Sequence, residues 1–186
     1  VIEICKRLKN KNSVILNIEG MAYKNLKEKT LALDCFQKAI VMDKKNFRPY
    51  VNAAKLQFVN SDYLSSQKLL KAAVNNGAKN PQIFNLLGDI CLKLKKHEEA
   101  NQYFKKSLAF EEDINLVHKI GSLNYELFME TRGQEFGLLA AEMLIKLIES
   151  NQDDLITLTS LATLLKDFIF KKFSNKYLDL FTLILN

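Results

Sequence analysis

Gly20 recurs as Gly88, Ala32 as Ala100, and Phe36 as Phe104, each pair at one and the same separation along the chain. Half that separation carries Ala39 to Ala73, and Gly88 to Gly121 falls a single position short of it. The underlying period of about 34 residues lies in the range of helical repeat arrays, in which each unit buries its apolar face only by stacking on its neighbours. Several residue types keeping one period mark such an array. No other feature of this 186-residue chain restricts its fold as strongly.

Cut at that period, the chain yields segments 13–46, 47–80 and 81–113. Each reads as a helix, a short polar turn and a second helix, with turns near 26–30, 60–63 and 95–98. Apolar residues recur in each helix at three- and four-residue spacing, which lines up one buried face. Breakers are scarce, with six Gly and two Pro, so long helices and short connections are expected. Pro49 and Pro81 fall at the junctions.

The third segment carries Phe84, Leu87, Gly88, Ala100 and Phe104, with Cys91 and Glu112 at two further motif places. The first carries Leu16, Gly20, Tyr23, Ala32, Phe36 and Ala39, with Glu19 and Lys44 departing. The second is weaker: Tyr50, Ala53, Ala54, Leu70 and Ala73, with Gln57 and Ser66 departing. This pattern resembles the tetratricopeptide repeat: aromatic-x2-Leu-Gly-x2-Tyr, then Ala-x3-Phe, then Pro. The resemblance implies an all-α, right-handed superhelical solenoid of antiparallel helix pairs. About five repeats are expected, plus a partial N-terminal one. A small residue recurs at one place (Gly20, Ala54, Gly88, Gly121), where two helix backbones approach most closely.

The register slips after residue 113. The segment 114–154 opens with Val117, Ile120 and Gly121 in place, but the small residue of its second helix arrives about seven residues late, at Ala140. A first helix prolonged through Leu127 and Met129 is expected, then a larger turn over "ETRGQEFG" containing Gly133 and Gly137. The segment 155–186 repeats the first-helix pattern at Leu158, Leu161, Ala162 and Leu165, and ends in the apolar "LFTLIL". Residues 1–12 read as the second helix of a truncated repeat, with Ile2 and Cys5 at motif places. A chain that begins in mid-repeat, with no polar capping face at either end, reads as part of a longer protein.

The chemistry of catalysis is missing from the pattern. His97 and His118 are isolated, His97 in a polar turn where it is expected to be solvated. No Gly-rich phosphate loop occurs, and pairs such as Glu98–Glu99 sit at helix edges. Cys5, Cys35 and Cys91 are far apart in apolar helical patterns, which implies buried free thiols in a reducing compartment, with neither a disulfide nor a metal site. The net charge of +6 comes from lysines alternating with acids. That is a solvated helix face, with no nucleic-acid motif. No apolar run reaches the ~18 residues of a bilayer span. A cytoplasmic protein without cofactors, and without nucleic-acid or membrane partners, is expected.

In tetratricopeptide-repeat proteins the first helix of each pair lines a concave groove that holds a peptide or a partner helix. The resemblance therefore places candidate contacts at Asn17, Met21 and Lys24 in the first repeat. Arg48, Val51, Lys55 and Phe58 follow in the second, and Gln82, Asn85, Asp89 and Leu92 in the third. His118, Ser122 and Tyr125 complete the set in the fourth. The family's cochaperones grip a chaperone's C-terminal carboxylate with a Lys/Asn/Arg clamp. The equivalent places here are Asn17, Met21, Asn52, Gln82 and Leu86, of which only Asn52 agrees, so that subtype is not matched. A non-enzymatic interaction scaffold is the leading expectation. The accessory array of a larger enzyme, such as a glycosyltransferase or methyltransferase, is a second reading, and self-association through uncapped ends a third.

Overall fold

The computed structural model describes residues 1–150 apart from Lys9 and Glu112, together with Ile156, Thr159, Ser160, Thr163, Leu164 and Lys166. Among the described residues there are nine helices and no strand. They fall into two compact units, residues 1–110 and 111–186. The first unit holds α1 (Ile2–Arg7), α2 (Ser13–Asn25), α3 (Lys29–Met42), α4 (Phe47–Val59), α5 (Tyr63–Asn75), α6 (Pro81–Lys93) and α7 (His97–Leu108). The second holds α8 (Ile114–Thr131) and α9 (Gln134–Glu149).

Within each pair the helices pack directly: α2 on α3, α4 on α5 and α6 on α7. Successive pairs meet through α3 with α4 and α5 with α6. The connections that make this possible are closed by one recurrent device. Lys27, Ser61 and Lys95 all adopt positive φ, between 58° and 64°. In each turn the next residue's N–H donates back to a carbonyl at the end of the first helix, as from Glu28 to Tyr23, Asp62 to Gln57 and Lys96 to Cys91. This satisfies carbonyls that a helix end leaves orphaned. Gly77 closes α5 in the same way at φ 90°, with Ala78 donating to Ala73.

The helix starts obey the same period. Asn12, Asn46 and Asn80, one to each repeat in matching register, cap α2, α4 and α6 with a side-chain oxygen that accepts a backbone N–H. Asp113 does the same for α8. Asn46 also donates to Ser13 Oγ at 2.9 Å, which ties the start of α4 to the start of α2.

The core follows the motif places. Ala32, Phe36, Ala54, Leu70, Leu87, Cys91, Ala100 and Phe104 are all fully buried. A Cβ added to Gly20 would stand 2.6 Å from Phe36 Cε1, and one added to Gly88 would stand 2.5 Å from Phe104 Cδ1. In both repeats the glycine is therefore required by the aromatic ring of the second helix. The second repeat replaces the Gly/Phe pair by Ala54 and Leu70, a smaller ring-free partner that leaves room for a methyl group. Ser66 departs from the usual alanine and donates its hydroxyl to the Ala54 carbonyl at 2.8 Å, so its polarity is satisfied in the core. Glu19, where leucine is usual, is buried but meets Lys11 Nζ at 2.7 Å.

In the second unit the residues facing Gly121 are Met143 and Leu144. They stand about two helical turns further along the chain than Phe36 does from Gly20, which agrees with the expected slip. The expected large turn is not there. Only Arg132 and Gly133 separate α8 from α9, and Gly137 lies buried inside α9. The insertion lengthens helices because Ile120, Leu127 and Phe128 continue one buried stripe, and Phe136, Leu139, Ala140 and Met143 begin the next. Extending a helix whose apolar face stays in the core leaves fewer backbone groups to satisfy than a loop would.

The helix expected over 1–12 extends only over Ile2–Arg7, and Leu8 is extended. Its Cys5 is buried, as are Cys35 and Cys91, all as free thiols. Burial pushes the Cys35 and Cys91 thiols above their usual pKa. The helix pair expected over 155–186 lies outside the described residues, except that the six positions named above are helical and Leu164 is buried. No helix among the described residues is long and apolar enough to cross a membrane.

Candidate functional site

The C-terminal turns of α2 and α4 lie side by side in the first unit, and the opening of α3 closes a concavity between them. Its volume is about 610 Å³. Four lysines, Lys24, Lys27, Lys29 and Lys55, surround an apolar floor and rim made by Leu56, Phe58 and Val59. None of these lining residues is acidic. Leu56 is buried, Phe58 half-buried, and Val59 is 73% exposed at the rim. Phe58 is held by an edge-to-face contact with Tyr63, ring centroids 5.5 Å apart. Lys29 donates to Asn60 Oδ1 at 2.6 Å, which fixes the α3 opening against the end of α4.

Three of the residues singled out from the sequence, Lys24, Lys55 and Phe58, meet at this pocket. The others are distributed more widely. Met21 is exposed on α2, and Arg48 is exposed at the start of α4. Val51 is half-buried and packs against the core. Gln82 is exposed at the start of α6, while Asp89 and Leu92 are half-buried along it. Asn85 is half-buried, and its Oδ1 is enclosed without a hydrogen-bond partner. His118 is exposed, and Ser122 and Tyr125 half-buried, on α8 in the second unit.

Asn17 does not face solvent. It is only 6% exposed, its Oδ1 accepts from Asn52 Nδ2 at 2.8 Å, and its own Nδ2 points to Met21 Sδ. The reason is packing: α2 contacts α4 as well as α3, so this face of α2 is covered by the next first helix. The same bond engages Asn52, the one residue that agreed with the carboxylate clamp. His97 is also not free in solvent. It opens α7 half-buried, with Nδ1 enclosed and unpartnered, because a short connection holds it against the repeat.

The periodic reading missed Lys27, Lys29, Leu56 and Val59. It searched first-helix faces, whereas the pocket lies at their ends and borrows from the turn. The signal was present as the lysine cluster "KNLKEK" at 24–29. It also missed Val14 and Ile18, which with Met21 form an exposed apolar stripe on α2. Among the described residues, no group of three or more His, Cys, Asp or Glu side chains is gathered to hold a metal ion.

Comparison with known proteins agrees with this architecture. The family described as "Tetratricopeptide repeat" matches residues 15–46 and 81–114. A TPR repeat-containing protein of Methanocaldococcus jannaschii is 28% identical over 127 residues, which are 66% of this chain and 22% of the relative. The chain thus spans about a fifth of that relative's length. Among solved structures, YrrB, described as a TPR protein with an unusual peptide-binding site, superposes with a TM-score of 0.63 at 15% identity. That match covers 91% of this chain and 94% of YrrB. The first TPR domain of Spaghetti (RPAP3), bound to an HSP90 peptide, superposes with a TM-score of 0.55 at 20% identity over 58% of this chain and 86% of that one. The matched repeats, the Gly/Phe packing pairs and the shared fold agree: residues 15–46 and 81–114 match the tetratricopeptide repeat, and the chain is similar in fold to proteins built from it.

Proposed function

We propose that this chain is a non-enzymatic protein-interaction scaffold that holds a peptide or helix of a partner against its first helices. The observation that carries this reading is the meeting of Lys24, Lys55 and Phe58, from two different first helices, at one open concavity. A recessed apolar floor with charged groups at its rim has the anatomy of an anchor site, where a few side chains supply most of the binding energy. Two structures that share the fold are described as having a peptide-binding site or a bound peptide, which supports the same use here.

A photoreactive residue placed at Val59 should crosslink a discrete partner protein. That purified partner should bind the Lys55→Glu chain about tenfold more weakly, the scale of losing one well-placed contact. If charge and size changes at Met21, Arg48, Lys55 and Gln82 together leave its affinity unchanged, the first-helix assignment fails.

Self-association has its own support. Val1, Ile4, Leu8, Val14, Ile18, Val41 and Met42 are all large, apolar and exposed in the stretch from α1 to the end of α3. Exposed apolar residues gathered in this way mark a protein-interaction surface. Light scattering over a concentration range should show association that Val14→Gln/Ile18→Gln reduces. A chain that is monomeric throughout overturns it.

A further inference from the structure

We infer that the pocket between α2 and α4 takes an acidic segment of a partner protein: an extended stretch in which carboxylates flank one apolar side chain. This rests on the scaffold reading above and names the chemistry of its ligand. The argument begins with charge that the fold leaves uncompensated. Among the described residues, Lys24, Lys27 and Lys55 meet no carboxylate within 4.0 Å, and Lys29 meets the neutral amide of Asn60. Lys44, Lys68 and Lys79 show no such pair either, but what sets the first four apart is that they gather round one concavity whose lining holds no acid.

Helix stability does not account for the whole cluster. A lysine near a helix C-terminus is favoured by the exposed carbonyls, which covers Lys24, Lys55 and Lys27 in the turn that closes α2. Lys29 instead sits in the first turn of α3, the end at which a cation is disfavoured. The first turn of α3 contains no acid, and the side chain of Glu28 just before it makes no capping bond. The equivalent helix α7 has Glu98 and Glu99 in its first turn. The α3 opening therefore adds the positive end of a helix to four ammonium groups around one apolar floor. An anion entering there meets the four lysines of the lining, and an apolar group beside it covers Phe58 and Val59. The clamp positions Asn17, Met21, Asn52, Gln82 and Leu86 contribute nothing to this pocket.

The recess favours a peptide over a lipid surface. Leu56 lies at the bottom and is buried, so an inserted side chain can reach it while a flat bilayer cannot.

The test is a random-peptide display selection against the whole chain, followed by fluorescence anisotropy with a selected peptide and its Asn/Gln copy. Selected peptides should be rich in Asp and Glu around a Leu, Ile or Phe. Neutralising their carboxylates should weaken binding by about tenfold or more, and binding should fall as salt screens the charges. Lys24→Gln/Lys55→Gln should weaken it comparably, and Val59→Asp further, with circular dichroism unchanged. Peptides without acidic bias, or acidic peptides that ignore the lysine changes, overturn the inference. If such peptides still lose affinity on changing Arg48 or Gln82, the scaffold reading survives alone. Failure of both selection and crosslinking sinks that reading too. Lysine-dependent binding to phosphatidylserine vesicles, with no peptide selected, overturns the inference in favour of a membrane surface.

Discussion

Phe104→Ala is expected to destabilise the first unit by about 3–5 kcal/mol, the usual cost of deleting a buried aromatic ring. Phe104 has no exposed surface and lies between α6 and α7 with its ring edge against Gly88. Gly88 carries no side chain that could swing into the space, and the helix backbone on either side is held by its own hydrogen bonds. The cavity should therefore collapse little, which places the loss toward the upper part of the range. Native domains are stable by only about 5–15 kcal/mol, so this single change removes a large share of the total. Urea unfolding followed by circular dichroism would measure it. A loss below about 1 kcal/mol would mean that the ring is not packed as described.

Gly88→Ala should destabilise by about 1–2 kcal/mol, although alanine is the better helix former by about 1 kcal/mol. The new methyl group would meet Phe104 Cδ1 at 2.5 Å and Cζ at 2.7 Å. These distances force the ring or the helix to move, and overpacking of this kind costs typically about 1–3 kcal/mol, occasionally more. Gly121→Ala is the control. Its nearest contact, Met143 Cβ, is at 3.3 Å, so a shift of a few tenths of an ångström suffices and the propensity gain offsets the strain. The double change Gly88→Ala/Phe104→Leu recreates the Ala54 and Leu70 pair of the second repeat. Its cost should fall short of the summed single costs by about 1 kcal/mol or more, the signature of residues in direct contact. Additive costs would dissociate the glycine from the ring.

Much of the fold was legible because it repeats. A single glycine in a helix means little, but Gly20 facing Phe36 and Gly88 facing Phe104 state one packing rule twice, at one spacing. The Asn12, Asn46 and Asn80 caps were as periodic and equally readable. The junction of α8 and α9 was not. Glycines at 133 and 137 signal a loop locally, yet Gly137 is helical because the stripe from Phe136 to Leu147 buries enough surface to outweigh its propensity.

The candidate site divides along the same line. First-helix positions were identifiable by register, so Lys24, Lys55 and Phe58 were named in advance. Asn17 was misplaced because register within one repeat is silent about the neighbouring first helix that covers it. The lysines of the turn were passed over because a charge run in sequence reads as a solvated face. By itself the sequence determined the period, the helix pairs and the residues that pack between them, since those depend on local spacing and on side-chain size. Only the tertiary structure decided which of the described charges lack a counter-ion. Pairing is set by distances between helices: Lys71 of α5 finds Glu99 of α7 at 2.8 Å, while Lys24 of α2 and Lys55 of α4 share one pocket that no carboxylate lines.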